Sequence, residues 1–238
     1  MHGALKSYLA VSFAILVSAC GGGSTTPTMQ QPANFDLQAG MAKMVTDGLS
    51  ANVGLSGMVT VEGVSTAFTG SGTFTRPAAV SATFNGTAAL SQTTTVAGTI
   101  TVAGQNSPYS TSVTDYYAGS NGAFLGEVSA GEYDVAQAPI SFPTMVVGGS
   151  SGTLGTLSRY TDSTMSASLG TVQLSYSVMA PVDPGSPIGV AVTTKIYDTQ
   201  NALIETDVTN YTMTTSNVIS LSGGSAQNQS GMLTITVQ

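Results

Sequence analysis

Histidine, cysteine and tryptophan are almost missing from this chain, and charge is scarce. Its one histidine is His2, its one cysteine is Cys20, and it has no tryptophan. Everything after residue 20 therefore lacks both imidazole and thiol. That excludes Ser-His-Asp and Cys-His catalysis, zinc sites built on His or Cys, haem ligation through His, and iron-sulfur clusters. Only 7% of the residues are charged, with 5 Lys and Arg against 12 Asp and Glu. Lys43, Arg76, Arg159 and Lys195 are scattered, so no basic patch exists to neutralise phosphates or to draw the chain onto an anionic membrane. Nucleic-acid binding is not expected. With 42% hydrophobic residues the chain has ample material for a core, and its polar surface has to be built from Ser, Thr, Asn, Gln and Gly.

One long apolar run stands near the start. Leu9 to Ala19 is apolar or small throughout, follows the basic residues His2 and Lys6, and ends at Cys20 and three glycines. A membrane-spanning helix needs about 20 apolar residues, so the run reads as the hydrophobic region of a signal peptide. Val17, Ser18, Ala19 and Cys20 resemble the lipobox of bacterial lipoproteins. The resemblance implies cleavage after Ala19, lipidation of Cys20 (thioether-linked chains with a fatty acyl group such as palmitate on the new amino terminus), and attachment to the membrane through those chains. Gly21 in place of an Asp implies sorting to the outer membrane. The domain plan is then a signal peptide at 1–19, a lipidated cysteine and tether at 20–35, and a body at 36–238. Removing residues 1–19 from 238 leaves 219. About 13 flexible residues reach roughly 20 Å, so the body would sit near the bilayer.

Asp36 to Leu49 carries the one helical pattern. Leu37, Met41, Met44, Val45 and Leu49 form a stripe, with Asp36 able to cap the start, Gly48 near the end, and Lys43 and Asp47 off the stripe. So short a helix is marginal alone and should pack onto a sheet.

Beyond Leu55 the period becomes two. Val172, Leu174, Tyr176 and Val178 alternate with polar partners, as do Ile188, Val190, Val192 and Ile196, and Leu233, Ile235 and Val237. Turn clusters are expected at Gly70–Gly72, Gly104–Pro108, Ser120–Gly122, Gly148–Gly152, Pro181–Pro187 and Gly223–Ser230. The expected fold is all-β, an antiparallel meander of roughly a dozen strands forming a sandwich or an open or half barrel, with one short N-terminal amphipathic helix. A weak repeat relates about 50–135 to 150–238. Val113-Thr114-Asp115-Tyr116 matches Val208-Thr209-Asn210-Tyr211, and Thr87, Leu90 and Ser91 match Thr171, Leu174 and Ser175.

Carboxylates are the strongest acid-base and metal-binding groups left. Glu127, Glu132 and Asp134 lie close in sequence, and Asp198, Glu205 and Asp207 flank a hairpin turn at Thr199 to Ala202. Neither group has calcium-loop spacing, and both read as structural or solvating. Eight tyrosines of the β region (Tyr109, Tyr116, Tyr117, Tyr133, Tyr160, Tyr176, Tyr197 and Tyr211) read as core or edge packing. No cofactor, metal or catalytic residue is expected. Two functions compete: a non-catalytic structural or binding domain with a protein or glycan partner, and a carrier of an apolar ligand whose helix lines the cavity. A hydrolase run by carboxylates alone, on glycans, stands behind them. A membrane-embedded barrel fits the low charge but not small strand residues such as Ala88, Gly98 and Ser175.

Overall fold

The computed structural model describes residues 34–238 apart from 120, 121, 182 and 184. The signal segment, Cys20 and most of the tether lie outside the described residues. Those described form one helix, α1 (Leu37–Asp47), and thirteen strands: β1 (Leu49–Val61), β2 (Val64–Arg76), β3 (Val80–Phe84), β4 (Thr87–Val102), β5 (Gln105–Tyr117), β6 (Phe124–Ser129), β7 (Glu132–Ile140), β8 (Ser151–Tyr160), β9 (Ser168–Met179), β10 (Ile188–Tyr197), β11 (Leu203–Met213), β12 (Ile219–Asn228) and β13 (Gly231–Val237). The all-β antiparallel meander of about a dozen strands is thus what the alternation implies.

The sheet goes further than a sandwich or half barrel and closes on itself. β1 pairs with β13, and β2 pairs with β4 over Phe68–Thr75, so twelve strands form a ring and β3 is the extra one. β4 is long enough to pair with β2 along Thr95–Val102 and with β3 along Thr87–Ser91. Closure also explains why Gly70 to Gly72 is not a turn but lies inside β2. A Cβ on Gly70 would stand 2.2 Å from the Thr99 carbonyl oxygen, and one on Gly72 would stand 2.3 Å from that of Ala97. Bare backbone is what lets the two strands meet there. The expected turn at Gly223–Ser230 also falls largely in a strand, where Gly223 at φ 141° sits beside the break in register between β11 and β12.

Side chains sort by the pleat. Val53, Leu55, Phe68, Phe74, Val96, Val190, Leu233 and Ile235 turn inward and are buried. The outer rows are mostly hydroxyls and amides, with Met58, Met179 and Met232 exposed among them: Thr69, Ser71, Thr73 and Thr75 on β2, Thr93 and Thr99 on β4, Gln173 and Ser177 on β9, Thr236 on β13. A wall facing lipid carries the opposite arrangement, an apolar band outside. Among the described residues no helix is long and apolar enough to cross a membrane.

A ring of twelve strands is wider than eight, the number whose own side chains fill the interior. Here α1 fills one end. The Asp36 carboxylate accepts from the Ala39 amide at 2.9 Å, and Gly48, at φ 77°, donates its N–H to the Met44 carbonyl. Leu37, Met41, Met44 and Val45 are buried as the stripe requires, each contributing roughly 1.5–3 kcal/mol. Gly40 brings the helix so close to β11 and β12 that a Cβ would stand 2.8 Å from the Met213 sulfur. Leu49 belongs to β1 rather than to the helix, because Gly48 ends it. Phe35, placed by sequence at the end of the tether, is 2% exposed and bridges Val146, so the packed body starts before Asp36.

Of the matched pieces, Val113–Tyr116 and Val208–Tyr211 fall on opposite faces, while Leu90 and Leu174 both lie on inward rows. Val113 and Asp115 point into the barrel, whereas Val208 and Asn210 share the outward row of β11, between inward Asp207, Thr209 and Tyr211.

Candidate binding cavity

Inside the ring, below α1, lies a cavity of about 210 Å³. Met41 and Met44 from the helix, Val96, Leu174, Val192 and Leu233 from the strands make most of its wall apolar. Set into that wall are polar groups that the sequence reading did not bring together: Arg76, Asp115, Tyr117, Glu127, Asp207 and Tyr211.

Arg76 anchors the first group. Its Nη2 donates to Asp115 Oδ2 at 2.6 Å and to the Tyr117 hydroxyl, and its Nε donates to Gln92 Oε1 at 2.7 Å. Tyr117 in turn donates to Asp115 at 3.2 Å. Gln92 extends the network to the plug, its Nε2 donating to the Met44 carbonyl at 3.1 Å and to that of Pro77 at 2.9 Å. The last turn of α1 is thereby held by a strand side chain, which adds a second donor to the Met44 carbonyl already capped by the Gly48 N–H. Burial pushes the Asp115 carboxyl up, and the Arg76 guanidinium opposes that rise. Burial likewise lifts the Tyr117 and Tyr211 hydroxyls.

Register builds a second group. Asp115 pairs with Glu127, Glu127 with Asp134, and Asp134 with Arg159, a row of four charged residues across β5, β6, β7 and β8. Arg159 bonds Glu132 at 3.0 Å and stands 3.9 Å from Asp134. Burial raises the Asp134 carboxyl to about 7 against the opposing pull of Arg159. Glu127 faces the cavity, half-buried, and burial together with Asp115, Asp134 and Glu132 holds its carboxyl well above the usual range.

Asp207 stands apart. It is 3% exposed, faces the cavity, and neither carboxylate oxygen accepts from an N–H or hydroxyl group, the neighbouring Glu205 carboxyl being its one hydrogen-bonding companion. Burial first, and then Glu205 and Glu127, raise it to about 10. Isolated ionised carboxylates are too costly to bury, so the group takes up a proton.

Of the acidic residues picked from sequence, Glu127, Asp134 and Asp207 are therefore interior groups and do not solvate the surface. Glu132 pairs with Arg159, and Glu205 accepts from Asn228 at 2.9 Å. Asp198 serves the turn as expected, its Oδ1 accepting from the amides of Gln200 and Ala202. Cys20 lies outside the described residues. Among those described, no three His, Cys, Asp or Glu side chains are grouped to hold a metal. The tyrosines divide: Tyr109, Tyr117 and Tyr211 are buried inward, whereas Tyr116 and Tyr133 stack on Phe84 with ring centroids 4.5 and 5.2 Å away. The missed signal is a charged residue in phase with apolar ones, as in Val113-x-Asp115-x-Tyr117 or Asp207-x-Thr209-x-Tyr211-x-Met213.

No family model, curated protein or solved structure matches the chain. The cavity thus has to be read from its own chemistry.

Proposed function

We propose that the protein is a non-catalytic, lipid-anchored cell-envelope protein, held at the outer membrane through Cys20, whose barrel binds a small and largely apolar ligand in its lumen. One observation carries the binding reading: a mostly apolar space of about 210 Å³ remains inside a closed ring even with α1 packed into it. Close packing leaves interiors with few voids larger than a water molecule, so a space of this size in a fully formed core is room kept for something. The arrangement supports the carrier reading over a purely structural one, because Met41, Met44 and Val45 of the helix line the space.

Size limits the ligand. An engineered cavity of about 150 Å³ takes up benzene, so this one suits a single ring with a substituent or a short chain. A full-length acyl chain requires α1 to move. Purified protein, denatured and extracted, should release a reproducible small organic molecule detectable by mass spectrometry. Its consistent absence, together with no shift of the Met41 and Met44 methyl resonances on exposure to a panel of small hydrophobic compounds, refutes lumenal binding. For the anchor, a labelled fatty acid should mark the wild-type product, and Cys20→Ala should leave the membrane fraction. Failure of both removes the lipoprotein reading.

A further inference from the structure

The apolar wall of the cavity is interrupted by more carboxyl groups than the interior has cations. Two guanidiniums, Arg76 and Arg159, stand among Asp115, Glu127, Glu132, Asp134, Glu205 and Asp207. Arg76 is committed to Asp115, and Arg159 to Glu132 and Asp134. Glu127 and Asp207 are left on the cavity wall, on β6 and β11, with the Glu127 charge among those that raise Asp207. Asp207 is 3% exposed, receives no N–H or hydroxyl donor on either oxygen, and has only the Glu205 carboxyl to share a proton with. Its register partners are Thr194 on β10 and Ala226 on β12, neither of which carries charge.

We propose that the cavity is a site for a small organic cation, an ammonium on an apolar body, whose N–H groups are received by Asp207 with Glu127 opposite. The inference rests on the lumenal-binding reading and names the chemical class of its ligand. A neutral hydrocarbon would leave both Asp207 oxygens as they are, without an N–H or hydroxyl donor. An anion would meet two carboxyl groups and no uncommitted cation in the cavity wall. An ammonium supplies N–H donors and the positive charge that lets Asp207 ionise, and the surrounding Leu174, Val192 and Leu233 take its apolar part. Buried polar groups discriminate strongly between a ligand that satisfies them and an isostere that does not.

Binding should also expel a proton. In the empty cavity Asp207 is protonated at neutral pH, since burial and the neighbouring carboxyls Glu205 and Glu127 hold its titration near 10. An ammonium beside it favours the ionised form, and the displaced proton leaves to solvent. Affinity for the cation therefore rises with pH through the neutral range, whereas affinity for a neutral isostere does not.

The test compares cyclohexylamine, an ammonium at neutral pH, with cyclohexanol, by calorimetry in two buffers of different ionisation enthalpy. The wild-type protein should bind the amine at least about tenfold tighter than the alcohol and release about one proton per amine bound. Asp207→Asn should lose that preference and the proton release while keeping its affinity for cyclohexanol. Glu127→Gln should reduce the preference to a smaller degree. If Asp207→Asn fails to fold, the wild-type proton count and Glu127→Gln decide. The proposal is overturned if amine and alcohol bind wild type equally, if no proton is released, or if Asp207→Asn binds the amine as wild type does. Binding of the alcohol alone sinks the cation while leaving the lumenal site standing, and binding of neither probe counts against both.

Discussion

Raising the pH from 5 to 8 should destabilise this protein, and Asp207 should be one of the main reasons. The carboxyl titrates near 10 in the folded barrel and near 3.8 in the unfolded chain. Between those values the native state holds a proton that the unfolded state has released, so unfolding free energy falls as pH rises. Stability from this group is complete below the unfolded value and disappears as pH climbs through the folded one. Each pH unit in that window costs about 1.4 kcal/mol for one proton, or about 4 kcal/mol across three units. Asp134, raised to about 7, and Glu127, raised by burial and its acidic neighbours, act with the same sign. Urea unfolding of wild type and Asp207→Asn at pH 5, 6, 7 and 8 isolates the contribution, because Asn keeps the shape and cannot titrate. Wild type should lose stability over the series, and the variant should lose about 4 kcal/mol less. Parallel curves for the two proteins, or a wild-type stability that rises to pH 8, would refute the reasoning by showing that Asp207 is ionised and solvated.

Other expectations follow from the same contacts. Arg76→Gln leaves Asp115 buried without its cation and should cost about 3–5 kcal/mol in urea unfolding, with much of the loss recovered in the Arg76→Gln, Asp115→Asn double variant. Gly72→Val pushes a side chain against the Ala97 carbonyl, and should cost about 1–3 kcal/mol with faster amide exchange in β2 and β4. Gly119→Ala, where a Cβ meets nothing within 4 Å, should be neutral by the same measurements. Gln92→Leu unties the last turn of α1 from β4, and should cost about 1–3 kcal/mol and expose the helix to limited proteolysis.

The strands and the helix were legible because each rests on local periodicity. Leu37, Met41, Met44 and Val45 mark a helical face whatever they pack against, and Asp36 and Gly48 mark its ends by chemistry of their own. Val172 to Val178 and Ile188 to Ile196 announce a strand with one dry side. Closure was hidden, because it depends on β2 meeting β4 across β3, a long-range pairing that Gly70 and Gly72 make possible and that reads locally as a turn. The charged interior was hidden for a related reason. Glu127 and Asp134 look like surface residues until the register lays them beside Asp115 and Arg159, and Asp207 looks like a hairpin flank until the pleat turns it inward. Local pattern gives the parity of a residue within its own strand, but only the pairing of strands says which neighbours share its face.

Pairing of β1 with β13 has a kinetic consequence. Val53 must find Val237, so the ring stays open until almost the whole chain has been made, and loop-closure entropy delays the last seam. Until then β1 and β2 form a hairpin whose free edge exposes Val53 and Leu55, a sticky intermediate for a molecule with so little charge to keep copies apart. Steep sensitivity to loss of β13 is what such a closing order implies.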